Sequence, residues 1–186
     1  MFFKSYKIYK DINTKRLILR EPKMSDLNDV FEFCGDSAST KYVNWEPHRN
    51  KSETAAYIKY LRKEILNCNP QNYTWFVWHK EDKKVVATVS LVELDTSGKI
   101  ATIGYTFSKR YQHKGLAAES VSAVIKYLFE EREVERVQAQ VLPLNTPSIN
   151  LLERVGMKKE AFLKKGVFCK NGLADVLIYS ILKEPF

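Results

Sequence analysis

The sequence predicts an α/β (α+β) fold, a mixed and mainly antiparallel central sheet of about seven strands with flanking helices. Three observations carry that reading. First, the β-rich runs Tyr73 to His79, Val85 to Val92 and Ile100 to Phe107 are separated only by the polar turns Glu81-Asp-Lys-Lys and Asp95-Thr-Ser-Gly98. Short turns of this kind join antiparallel neighbours. Second, Leu116, Val121, Val124, Ile125, Leu128 and Phe129 recur at three- and four-residue intervals, the pattern of one helix face. The alternating Val137, Ala139 and Val141 that follow fit a strand returning parallel to the one before that helix. Third, Lys170-Asn171-Gly172 near the C-terminus is a type I′ hairpin signal joining two last strands.

The remaining elements follow in order. Leu17 and Leu19 mark a first strand, and Pro22-Lys-Met-Ser25-Asp26 reads as a turn in which Ser25 caps a helix running through Phe33. A long loop from Cys34 to Lys51 carries Gly35, Trp45, Pro47 and His48, and a loop of that length inside a compact domain is usually functional. Ser52-Glu-Thr opens a second helix with Ala56, Tyr60, Ile65 and Leu66 as its apolar residues, stopped by Asn69-Pro70. After the strand at Val137 to Val141, a short helix from Pro147 to Arg154 ends at Gly156, which suits a left-handed position just past a helix. No repeat, linker or low-complexity tract interrupts the 186 residues, so residues 1–186 are expected to form a single domain.

Composition narrows the function classes. A hydrophobic fraction of 45% with 12% aromatics argues against disorder. Met1-Phe-Phe-Lys lacks the continuous apolar stretch of a secretory signal, and no segment reaches membrane-spanning length. Cys34, Cys68 and Cys169 are odd in number and far apart, which fits a reducing cytoplasm better than a disulfide scaffold. His48, His79 and His113 are isolated, so no metal site is expected. The net charge of +8 fits a nucleic-acid partner, an anionic cofactor or a lysine-rich surface, but basic and aromatic residues are not interleaved as a nucleic-acid module needs. Lys158, Lys159, Lys164, Lys165 and Lys170 form one cluster, either a solvated face or a source of steering for anions.

The most informative stretch is Lys109-Arg-Tyr-Gln-His-Lys-Gly-Leu-Ala117, a basic loop between a strand and a helix. Gly115 permits close approach of main chain to an anion, and the uncapped amides of the following turn, with the positive end of the helix dipole, point at it. The stretch is neither the G-x-x-x-x-G-K-[ST] of nucleotide triphosphatases nor the G-x-G-x-x-G of dinucleotide binders.

Gln112-His-Lys-Gly115-Leu-Ala117 resembles the [QR]-x-x-G-x-[GA] loop of the GNAT superfamily of acetyl-CoA-dependent N-acetyltransferases. Companion segments resemble the subgroup of ribosomal-protein N-terminal (alanine/serine) acetyltransferases: Thr14-Lys-Arg-Leu-Ile-Leu-Arg20 its opening strand, Asp26 the acid of its first helix, and Asn145-Thr-Pro-Ser148 through Gly156-Met157 its N-x-x-S helix. Asn171-Gly172, Asp175 and Tyr179 are similar to its final hairpin. The resemblance spans roughly residues 12–183 and departs at Met157 and Ala161, where Phe and Gly are usual.

That resemblance implies a splayed parallel strand pair receiving acetyl-CoA, with Phe107, Ser108, Gln112, His113, Lys114, Gly115, Leu116, Ala117 and Asn145 as its contacts. It implies direct attack by a primary amine, on a protein N-terminus or a small molecule, with main-chain N–H near Phe107 or Ser108 polarising the carbonyl and Ser148 protonating the departing sulfur. For Asn145 to Ser148 a simple capped helix start is the competing reading. Glu160 is a candidate general base, with Glu93 as rival, though a surface ion pair explains Glu160 equally well. Trp45 in the long loop is a candidate acceptor contact alongside Glu93. A non-catalytic acetyl-CoA-binding sensor is the alternative class, a homodimer is compatible with the resemblance, and neither membrane nor metal is implied.

Overall fold

The computed structural model describes residues 9–66 and 71–184. Eight strands, β1 (Ile12–Asn13), β2 (Leu17–Arg20), β3 (Tyr73–His79), β4 (Lys84–Leu94), β5 (Ile100–Phe107), β6 (Arg136–Val141), β7 (Lys158–Cys169) and β8 (Gly172–Leu182), form one sheet. Their spatial order is β1-β2-β3-β4-β5-β6-β8-β7. Every neighbouring pair is antiparallel except β5 and β6. The helices are α1 (Leu27–Cys34), α2 (Lys51–Leu66), α3 (Leu116–Glu131) and α4 (Thr146–Arg154).

Alternation along β3 divides the interior in two. Trp75 and Val77 point into the larger core, where Leu116, Val121, Val124, Ile125 and Leu128 of α3 and Leu152 of α4 pack. Phe76, between them in sequence, joins Val30 and Phe33 of α1 and Ile58 of α2 in a second core on the other face. The sheet is therefore covered on both sides, which explains why β3 and β4 read as nearly continuous apolar runs.

The parallel pair places the site. Its register runs from Ile100 opposite Arg136 to Ile103 opposite Ala139 and then ends. β5 continues for Gly104 to Phe107 and β6 for Gln140 and Val141, so the two strands diverge and leave a gap in the middle of the sheet.

Two local expectations are corrected, and one short strand is added to those expected. Ser25 does not cap α1: it lies in a 3₁₀ turn, Met24–Asp26, that leads into α1, and the Asp26 carboxylate closes that turn by accepting the Lys23 N–H at 2.9 Å, while no side chain caps α1 itself. The turn after β7 is not type I′, because neither Lys170 nor Asn171 has positive φ; Gly172, at φ 102, takes that role, as in a type I turn closed by a glycine bulge. The eighth strand, β1, is only two residues long, too short for periodicity to reveal. The Asn69-Pro70 stop signal and Cys68 lie outside the described residues. No helix among the described residues is long and apolar enough to cross a membrane.

Candidate active site

A cleft of about 640 Å³ fills the gap between β5 and β6. Its size is that of a pocket for a small-molecule ligand. Gly104, Tyr105, Thr106 and Phe107 line one wall and Ala139, Gln140, Val141 and Leu142 the other. Gln112, His113, Gly115, Ala117 and Ala118 close one end, and Asn145, Ser148, Asn150 and Arg154 of α4 and its approach border the other wall.

The phosphate loop has the backbone shape its sequence implies. His113 (φ 60) and Gly115 (φ 74) are both left-handed, with Lys114 between them. Alternation of this kind turns successive N–H groups into one concavity, an anion-binding nest. No side chain caps α3, so its first-turn amides face the same end of the cleft without a competing protein acceptor. These features fit a diphosphate, and therefore fit acetyl-CoA. Lys114 and Leu116 are not part of the lining: the Lys114 ammonium stacks over the Tyr111 ring at 4.9 Å, and Leu116 is fully buried in the main core. Arg110 pairs with Glu32 at 3.0 Å instead of facing the cleft.

Ser108 is corrected as an oxyanion donor, since its N–H is spent on the Val86 carbonyl at 2.9 Å. Successive amides of a strand point to opposite neighbours, so the adjoining Phe107 N–H is directed toward the gap beside β6. Of the two amides the sequence offered for that role, the Phe107 N–H is the one left facing the cleft.

Asn145 is the N-cap of α4, its Oδ1 accepting the Ser148 N–H at 3.3 Å. That cap fixes Ser148 at the rim of the gap, where its Oγ lies 2.6 Å from the Tyr105 hydroxyl. Burial pushes the Tyr105 phenol up to about 12, against a smaller lowering by the Ser148 hydrogen bond, so it remains protonated and available as a donor. Tyr105 is a site residue that sequence reading missed, because an aromatic residue in a β-run reads as core.

The two candidate bases are not in the cleft. Glu160, on β7, is ion-paired to Arg136 with one oxygen 3.1 Å from Nη1, and accepts from the Ser180 hydroxyl at 2.5 Å. The Arg136 guanidinium first, and Ser180 second, hold its carboxyl down at about 2. Glu93 is exposed at a bulge in β4. Among the described residues, no aspartate or glutamate lines the cleft. A depressed carboxyl stabilises the fold above the ordinary glutamate range of about 4.3, and that contribution fades as pH falls toward about 2. Glu160→Gln is therefore expected to flatten the rise of unfolding free energy across that window while leaving the acidic limb of the pH–rate profile in place. Denaturant titrations at stepped pH check this, and an acidic limb lost in the variant would restore Glu160 as a base.

Tyr42, Val43, Asn44 and Trp45 of the long loop and Tyr57 of α2 also line the cleft. Trp45 also packs against the second core and lies 5.3 Å, ring to ring, from His48. The loop is tied to β7–β8 and to the phosphate loop through adjacent residues, by Ser39 Oγ accepting the Lys109 N–H at 3.1 Å and by the Lys170 ammonium donating to the Thr40 carbonyl at 3.3 Å. The other lysines of the predicted cluster stay on β7, the sheet edge, and none lines the cleft. Cys34 and Cys169 also line it; burial pushes the Cys34 thiol up to about 12, so it is no thiolate nucleophile.

A loop shaped for an anion at one end, a gap between parallel strands and a paired hydroxyl at the other wall are the arrangement of a group-transfer enzyme. The chain belongs to the GNAT family: residues 16–158 match the acetyltransferase (GNAT) domain, and it is an acetyltransferase. It is 31% identical over 173 residues to the uncharacterized N-acetyltransferase p20 of Bacillus licheniformis, covering 93% of this chain and 96% of that one. It is 26% identical to the [ribosomal protein uS5]-alanine N-acetyltransferase of Escherichia coli, covering 82% and 80% of the two chains. Its fold is similar to that of the microcin C7 self-immunity acetyltransferase MccE, solved in complex with acetyl-CoA and AMP, with a TM-score of 0.82, 20% identity, and coverage of 91% and 94%.

Proposed function

We propose that this chain transfers the acetyl group of acetyl-CoA to a primary amine of low basicity, above all the α-amine of a protein or peptide N-terminus. The observation that carries this reading is a cleft that holds a nest-shaped loop and a hydroxyl pair but, among the described residues, no carboxylate. An α-amine has a pKa of about 7.7–8.0, so a large fraction is neutral near pH 7.5, whereas a lysine-like alkylamine at about 10.4 is neutral in roughly one molecule per thousand. A cleft whose one titratable imidazole, His113, sits in the phosphate loop and which has no carboxylate among the described residues therefore favours the former. The activity of the E. coli relative on the alanine of ribosomal protein uS5 supports the same choice.

Acetyl-CoA supplies the activated thioester. The residues of this chain do the rest: the Phe107 N–H donates to the carbonyl oxygen as charge develops there, and Ser148 gives its proton to the sulfur as the new N–C bond forms and the C–S bond breaks. Tyr105 passes a proton on to Ser148 and regains one from water, to which the amine's surplus proton is released, so that both hydroxyls end the cycle protonated. Thiol release with acetyl-CoA tests this, comparing peptides that carry a free α-amine with the same peptides blocked at the N-terminus and bearing lysine. At pH 7.5 the free α-amine series is expected to be faster by about two orders of magnitude, with kcat/KM rising through a midpoint at about pH 8 to a plateau about one pH unit above it. A preference for lysine or polyamines would overturn the acceptor class, and acetyl-CoA binding without thiol release to any amine would make the protein a sensor.

A further inference from the structure

We infer that Arg16 is the positioning residue of the phosphate loop: it turns the Lys114 carbonyl away from the cleft and cancels the charge of Glu119, so that the loop presents donors alone to the diphosphate. The inference rests on the acetyl-CoA reading above.

Two features of the loop oppose anion binding unless something corrects them. One is the Lys114 carbonyl, an acceptor in the middle of the nest. The other is Glu119, a carboxylate in the first turn of α3, where the helix dipole would otherwise be reserved for the ligand. Arg16, between β1 and β2, meets both. Its Nη1 donates to the Lys114 carbonyl at 2.9 Å, and its Nε donates to Glu119 Oε2 at 2.7 Å. Glu119 Oε1 accepts further from the Arg16 N–H at 2.8 Å and the Thr14 hydroxyl at 2.6 Å, so the carboxylate is aimed back at the N-terminal strand.

Planarity of the peptide bond converts the first contact into a consequence for the ligand. In a trans peptide the C=O and the next N–H point in opposite directions. With the Lys114 carbonyl directed at Arg16, the Gly115 N–H is directed the other way. Gly115 is itself wedged between the two, lining the cleft on one side while a Cβ built on it would stand 3.5 Å from Arg16 Nη2 on the other. Lysine cannot replace this arrangement, since two fixed donors at a set angle are needed and an ammonium on a flexible stem offers no such fork.

The test is calorimetric binding of coenzyme A, dephospho-coenzyme A and pantetheine to the wild type, Arg16→Ala, Arg16→Lys and the double variant Arg16→Ala/Glu119→Gln. Loss of charge-assisted donors to the loop is expected to raise Kd for coenzyme A about tenfold in Arg16→Ala. Dephospho-coenzyme A, which keeps the diphosphate, should weaken by the same factor, and pantetheine, which has no phosphate, should be unaffected. Arg16→Lys should recover only part of the loss, and the double variant should bind severalfold better than Arg16→Ala because the uncovered carboxylate is gone. kcat at saturating acetyl-CoA should stay within about twofold of wild type while KM rises. Wild-type affinity in Arg16→Ala, or an equal loss with pantetheine, would overturn the inference; a loss confined to coenzyme A would make Arg16 a direct 3′-phosphate contact instead. Should Arg16→Ala not fold, Arg16→Lys is read by the same criteria. A wild type that binds none of the three ligands would instead overturn the acetyl-CoA reading itself.

Discussion

Replacing Ser148 with alanine is expected to lower kcat at saturating acetyl-CoA by about a hundredfold, the low end of what a positioned proton donor contributes. The expulsion of a thiolate is the step that needs it, and two observations support Ser148 as the proposed donor. The Asn145 cap holds its backbone at the first turn of α4, beside the gap between β5 and β6. The Tyr105 hydroxyl lies 2.6 Å from its Oγ, within reach to return a proton to it. Tyr105→Phe removes the second donor and leaves the first, so a smaller fall of about tenfold is expected. A purely structural Ser148 makes a different prediction: its hydroxyl would contribute only one ordinary hydrogen bond, worth about 1 kcal/mol, and Ser148→Ala would lower thermal stability slightly with kcat unchanged. Steady-state thiol release under saturation in acetyl-CoA, paired with a melting curve for each variant, separates the two. An unaltered kcat in both variants would remove the pair from the mechanism.

What the sequence disclosed, and what it withheld, follows the range of the interactions. The loop from Gln112 to Ala117 and the cap at Asn145 are local: each is written in adjacent residues whose backbone needs are met nearby, and both lie on the cleft in the structure. The antiparallel meander was legible for the same reason, since short turns leave neighbouring runs little choice of partner. Tyr105 and Arg16 were not legible as site residues. Tyr105 meets Ser148 across 43 positions and Arg16 meets Glu119 across 103, so only the folded sheet brings them together. Glu160 failed in the opposite direction. Its place in the family pattern was local, but its partner Arg136 comes from β6 and carries the carboxylate into an ion pair away from the cleft. Ser25 gave way to Asp26, whose carboxylate closes the turn into α1 and also answers a buried arginine.

That arginine sets the second large effect: Asp26→Ala is expected to destabilise the fold by about 3–5 kcal/mol, because it strands a buried charge. Arg20 and Asp26 form a two-pronged pair, Nη1 to Oδ2 at 2.9 Å and Nη2 to Oδ1 at 2.8 Å, with side chains only 11% and 3% exposed. Arg20 has two other contacts, the Glu21 carbonyl at 3.1 Å and the Trp78 ring at 5.0 Å, and neither is a counter-ion. Removing the carboxylate also frees the Lys23 N–H that it accepts, at the entry to α1. Urea titration should show a lower midpoint with unchanged slope, and melting should fall by about 10 °C for a chain of this size. Replacing both partners, as Arg20→Met with Asp26→Leu, should recover most of the loss, since it is the uncompensated charge and not the missing attraction that costs stability. α1 leads directly into the loop that carries Tyr42, Val43, Asn44 and Trp45 to the cleft, so the single variant should also raise KM for the amine more than for acetyl-CoA. A cost below about 1 kcal/mol for Asp26→Ala would mean that water reaches Arg20, and would place the pair among ordinary surface salt bridges.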